Sequence, residues 1–153
     1  MIQEVQEKAL FLNSNTDTIF FENDDLRTKS ATCCGWLSHD KQSSIYKIID
    51  GGVYNIEYNS NITSLTAGVV AIGLFEDGVL VPGTEMIATI AAPGDYENIS
   101  FSKKLRVCCK SDASLSLKAI DQVSVYSAAT PVITETEVPI ITNANFSITK
   151  IYG

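Results

Sequence analysis

Apolar and polar residues alternate along this chain in short runs separated by turn residues, and helical spacing is almost absent. Residues 53–58 show the alternation most cleanly, with Tyr54, Ile56 and Tyr58 on one side of an extended chain and Asn55 and Glu57 on the other. Residues 98–109 place Ile99, Phe101, Leu105, Val107 and Cys109 on one side. Ser100, Ser102, Lys104, Arg106 and Cys108 take the other side, and Lys103 breaks the pattern. Residues 113–119 and 144–152 alternate in the same way. Residues 66–75 are apolar on both sides, as a strand covered on both faces would be. Asp77-Gly78, set between Leu74-Phe75 and Val79-Leu80-Val81, predicts a type I′ hairpin turn. Further strands are expected at 18–21, 31–37, 44–49 and 84–91. Residues 22–29 read as a loop, 38–41 as a polar turn, and 121–143 as a long excursion with one strand at 123–126. Residues 1–12 fit a short helix and an extended arm equally well. The expected architecture is all-β: eight to ten strands in an antiparallel two-sheet sandwich over residues 13–153, preceded by an arm at 1–12. Tyr54, Ile56, Tyr58, Ile99, Phe101, Leu105, Val107, Leu115 and Leu117 should fill the space between the sheets.

Composition narrows the function classes. With 153 residues, 45% hydrophobic and 19% charged, the chain suits one domain with a substantial core. Eighteen acidic residues against eleven basic ones give a net charge of −7, so no nucleic-acid partner is expected. The apolar runs are too short to span a bilayer as helices, so no membrane insertion is expected either. Residues 1–6 carry neither a basic segment nor an apolar one, and no secretory leader is expected.

Candidate chemistry is sparse. His39-Asp40 is half of a charge-relay pair on paper, but it sits in a Ser-His-Asp-Lys turn that offers no rigid positioning, and no Gly-X-Ser-X-Gly elbow supplies a nucleophile. A surface-turn histidine is the expectation. Asp24-Asp25, after Glu22-Asn23, offers oxygen donors for calcium but lacks the alternating ligand spacing, and a solvated loop is favoured. Asp95-Tyr96-Glu97 reads as a plain turn before a sugar-binding one, and Trp36 as packing before a stacking platform. Cys33-Cys34 and Cys108-Cys109 have no zinc-like spacing; they are expected reduced, Cys109 buried and Cys108 facing the other way, with one cross-strand disulfide between the pairs as the alternative. No enzyme, no cofactor and no metal is expected.

Three segments nevertheless resemble one known superfamily. Gly52-Val53-Tyr54-Asn55-Ile56-Glu57-Tyr58 resembles the glycine-aromatic strand of tumour necrosis factors and complement globular heads. Residues 72–84 are similar to a hairpin in the C-terminal domains of bacterial collagen-like spore-surface glycoproteins. Ala113-Ser114-Leu115-Ser116-Leu117 and residues 144–151 are similar to the last two strands of those domains. Val107-Cys108-Cys109, placed before the alanine-serine-leucine strand, also resembles small proteins of phages and prophages of Gram-positive gut bacteria.

The resemblance implies a ten-strand jelly roll that assembles as a homotrimer, one sheet facing the threefold axis. Asn55, Glu57, Lys104, Arg106, Asn145, Thr149 and Ile151 are then the expected trimer interface, with Glu57 pairing with Arg106 of the same or a neighbouring chain. Glu57 and Asn145 stand where the cytokine branch has axial aromatics, so a more polar axis is expected. The implied role is structural and non-enzymatic: a trimeric decoration or head-fibre knob of a bacteriophage virion, made in the bacterial host cytoplasm and tethered to a capsid or other virion protein through residues 1–12. The alternative is a bacterial surface or spore-coat adhesion module that binds a cell-surface glycan or a host protein.

Overall fold

A computed structural model describes residues 1–21, 23–27, 35–39, 43–108, 112–127 and 129–152. Fourteen strands are present among them: β1 (Ile2–Gln6), β2 (Leu10–Phe11), β3 (Asn23–Arg27), β4 (Leu37–Ser38), β5 (Tyr46–Ile48), β6 (Gly52–Ser64), β7 (Gly68–Glu76), β8 (Val79–Leu80), β9 (Met86–Ile90), β10 (Glu97–Val107), β11 (Ala113–Ala119), β12 (Gln122–Ser127), β13 (Thr130–Glu135) and β14 (Pro139–Tyr152). One six-stranded antiparallel sheet runs β10-β6-β14-β1-β3, with β2 also paired to β14. The other runs β4-β5-β11-β7-β8, with β9 also paired to β7. The chain crosses from sheet to sheet after β3, β5, β6, β9 and β10, and returns from β11 to β14 by way of β12 and β13, which makes the sandwich a jelly roll.

The alternation read from the sequence sets the core. Tyr54, Ile56 and Tyr58 are at most 1% exposed, and Ile99, Leu105, Val107, Leu115 and Leu117 are buried with them. Phe101 departs from the expectation: it lies on β10, an edge strand, so its ring is half-buried and stacks on Tyr58 at 6.1 Å. Strand β7 is covered on both faces as expected. Val70, Ile72 and Leu74 face the core, while on the other face Ala71 is buried and Gly73 lies under Ile120 and Leu80. A Cβ on Gly73 would stand 2.5 Å from Leu80 Cδ1, so only glycine fits there without repacking. Asp77 and Gly78 have φ of 50° and 82°, the two positive values that a type I′ turn demands. Trp36 packs in the core with its ring 5.2 Å from that of Tyr54.

Several expectations are corrected. Residues 23–27, read as loop, form β3, because β1 lies alongside and supplies its hydrogen-bonding partner. The expected strand at 18–21 is reduced to a bridge from Thr18 to Lys118. Residues 121–143, expected to hold one strand, hold β12 and β13, which pair only with each other, and the start of β14. Residues 1–12 contain no helix. Nor is β1 a free arm: it is an inner strand, bonded to β14 on one side and β3 on the other. A tether drawn from these residues would have to give up both pairings. Cys33, Cys34 and Cys109, and the expectations attached to them, lie outside the described residues; Cys108 is a free thiol and is exposed.

Candidate assembly face and a buried polar cluster

Because β6 lies between β10 and β14, in continuous antiparallel register with β10 and, from Asn145 to Lys150, with β14, its outward residues form rows with theirs. Lys104, Asn55 and Thr149 make one row; Ser102, Glu57 and Ser147, with Gln3 of β1 beyond, make the next. Ser100, Asn59, Asn145 and Val5 make a third. Asn55, Glu57, Lys104, Asn145 and Thr149, brought together in expectation by the resemblance and by parity, stand on one outward face of this sheet. Glu57, Lys104 and Arg106 are its only charged side chains on β1, β6, β10 and β14. In a chain of net charge −7, this face is nearly neutral.

Two expected members stand differently. Arg106 pairs in register with Val53, four residues along β6 from Glu57, or about 13 Å at strand rise. An ion pair with Glu57 of the same chain is thereby excluded, and the Glu57 carboxylate instead accepts a hydrogen bond from Ser102 Oγ at 3.4 Å. Ile151 is displaced by a register shift between Lys150 and Tyr152, which sets Tyr152 opposite Val53 in the place that strict alternation gives to Ile151. Tyr152 and Arg106 border a cleft of about 440 Å³ with Asp50, Gly51, Gly52, Val53, Val107 and Cys108. Beside it, Lys150 Nζ contacts Asp50 Oδ2 at 2.5 Å and holds that carboxyl below its ordinary value of 3.8, chiefly by hydrogen bonding. The Tyr54 hydroxyl donates to the Asp50 carbonyl at 2.6 Å. Burial, with the Asp50 charge adding to it, pushes the Tyr54 phenol up to about 12.

A second constellation escaped the sequence reading. His39 is not a surface-turn residue: its side chain is fully buried, stacked on the Tyr46 ring at 4.0 Å. His39 Nε2 lies 2.8 Å from Glu4 Oε1, and the Tyr46 hydroxyl donates to Glu4 Oε2 at 2.6 Å. His39 Nδ1 is 2.9 Å from the carbonyl of Ile45, which can only accept, so that nitrogen carries a proton. Glu4 and His39 are both buried, and the cluster joins the two sheets. Asp95 and Tyr96 lie in an exposed turn, as expected. The cluster's one signal in the sequence was parity on β1, where Ile2, Glu4 and Gln6 share the inward side. Its partners are 35 or more positions away, which no local pattern reveals.

No protein-family model and no curated protein sequence matches the chain. Solved structures do. The globular domain of a zebrafish complement 1qA protein superposes with a TM-score of 0.63 at 10% identity, over 99% of this chain and 96% of that one. Eiger TNF from S. frugiperda gives 0.60 at 6% identity, over 98% and 90%. Murine APRIL at pH 5.0 gives 0.56 at 10% identity, over 98% and 97%. At such identities the likeness is one of fold: a jelly roll of the tumour necrosis factor and complement globular-head type, as the three segments implied.

Proposed function

We propose that this protein is a non-enzymatic structural protein that assembles as a homotrimer, and that the trimer serves as a decoration or head-fibre knob of a bacteriophage virion. The observation that carries the assembly is the outer face of β10-β6-β14-β1. A flat sheet face of serine, asparagine and threonine, carrying three charges in a chain of −7, is where like copies meet with least repulsion. The virion role is supported by the resemblance of Val107-Cys108-Cys109 and the strand that follows to small phage proteins. Since β1 is held inside the sheet, the surface turned to the capsid lies elsewhere than on a free arm.

Two measurements test this. Light scattering at micromolar concentration should give about three times 16.6 kDa; a monomer with no larger species would remove the assembly and the role with it. Mass spectrometry of purified phage particles should find the chain in stoichiometric amount, and its absence from particles would defeat the virion role while leaving the trimer. A second reading, a surface or spore-coat adhesion module, is favoured by the exposed Tyr152 ring at the mouth of the cleft that Arg106 and Asp50 border. Loss of glycan or host-protein binding on Tyr152→Ala would support that reading instead.

A further inference from the structure

Lys103 breaks the alternation of β10, and the structure sets it on the inner side of the sheet. In register it stands opposite Ile56, which is fully buried, and its neighbours in the row, Phe101 and Leu105, pack on the core. Its ammonium runs out between the edges of the two sheets to the turn after β8, where a Cβ on Gly83 would stand 3.7 Å from Nζ. There it borders a hollow of about 270 Å³ with Glu76, Leu80, Val81 and Leu105 among the lining residues. No ion pair or hydrogen bond holds that ammonium among the described residues. A β-branched apolar residue would fill this place in the row better, so packing does not account for a lysine there.

The free side of β10 does account for it. The strand bonds to β6 alone, and β9 lies beside it without joining it in a ladder. At eleven residues β10 is the longest edge strand among the described residues. The other edges are short or charged: β4 and β8 have two residues each, β9 has five, and β3 carries Asp24, Asp25 and Arg27 within its five. An open edge offers unpaired N–H and C=O groups to any extended chain, and a charge turned inward is one of the devices that keep such a chain off. A strand added to β10 would continue the sheet and roof the hollow, so the Lys103 ammonium would lose its water among Leu80, Val81 and Leu105 with no fixed partner. That loss opposes the new ladder bonds. A lysine on the outer side, such as Lys104, would stay in water whether or not a strand were added.

We infer that Lys103 guards the β10 edge: its inward charge keeps the sheet from being extended, edge to edge, by β10 of a second copy of this chain. The inference does not rest on the homotrimer reading, which concerns the outer face of the sheet and not its edge. Lys103→Met keeps the length of the side chain and removes the charge, and Lys103→Val removes both. Each should give about double the wild-type mean mass or more in light scattering, rising with protein concentration, with slowed hydrogen exchange at the β10 amides. Lys103→Arg and Lys103→Glu, which keep a charge at that place, should match the wild type. Two neutral variants of different shape keep the comparison intact if one of them fails to fold, which circular dichroism reports. Folded neutral variants with the wild-type mass would overturn the guard and spare the homotrimer. So would association of Lys103→Glu to the same extent as Lys103→Met, or association that leaves β10 exchange unchanged. Because each mass is read against the wild type, a monomeric wild type would overturn the homotrimer alone.

Discussion

Glu4, His39 and Tyr46 form a polar cluster in an otherwise apolar core, where a hydrogen bond to a charged group contributes more than it does in water. Tyr46→Phe keeps the ring stack and removes one donor from the Glu4 carboxylate. The expected cost is ~1.5–3 kcal/mol, read as a lowered urea midpoint at unchanged slope. An unchanged midpoint would show that this bond contributes nothing. Tyrosines also carry the alkaline behaviour. Tyr54 is raised from 10.0 to about 12, and burial raises Tyr58 beyond the ordinary phenol range. A group with a raised folded-state pKa stabilises the fold below its unfolded value and loses that contribution as pH rises through the folded one. Stability should therefore fall from pH 10.0 upward through about 12. Phenolate absorbance of the folded protein should show Tyr54 and Tyr58 resisting ionisation over that interval; all six tyrosines ionising together below it would contradict the buried positions.

Among the elements, β1 is the one whose place decides most. Ile2, Glu4 and Gln6 point inward at 0%, 0% and 1% exposure, and β14 and β3 both depend on the strand between them. Removal of residues 1–6 should therefore separate β3 from its sheet and strip His39 of its Glu4 partner. The truncated chain should lose its cooperative thermal transition, whereas a chain with a dispensable arm would melt as before. Strand β6 makes the complementary case. It is bonded along its whole length to β10 and β14, and its alternation was plain in the sequence because one face is core and the other is not.

For the whole molecule, register decides how Glu57 acts. It cannot reach Arg106 of its own chain, so any pairing between the two crosses from one copy to the next. Glu57→Ala should then weaken the trimer by roughly tenfold or more, since it leaves a cation facing the interface without its partner. Glu57→Ala combined with Arg106→Ala should recover part of the affinity, and sedimentation equilibrium measures both. If the double variant is as weak as the sum of the two single ones, the groups do not interact across the interface.

The sequence by itself determined what depends on parity and turn chemistry: the inward sets of β6, β10, β11 and β14, the type I′ turn at Asp77-Gly78, and, strand by strand, the outward side taken by Asn55 and Glu57, by Lys104, and by Asn145 and Thr149. Each is local, because a strand with one face in the core must alternate and a turn with two positive φ values must use residues that tolerate them. Only the tertiary structure decided the rest. Whether residues 1–12 were helix or strand depended on β14, more than 130 positions away. The bulge before Tyr152 shifted Ile151 out of its row, although the alternation continues through it in sequence. His39 is flanked in sequence by polar residues, yet it is buried against Glu4, on the opposite sheet. Burial of a charge is settled by what faces it, and what faces it across a sandwich is set by the fold.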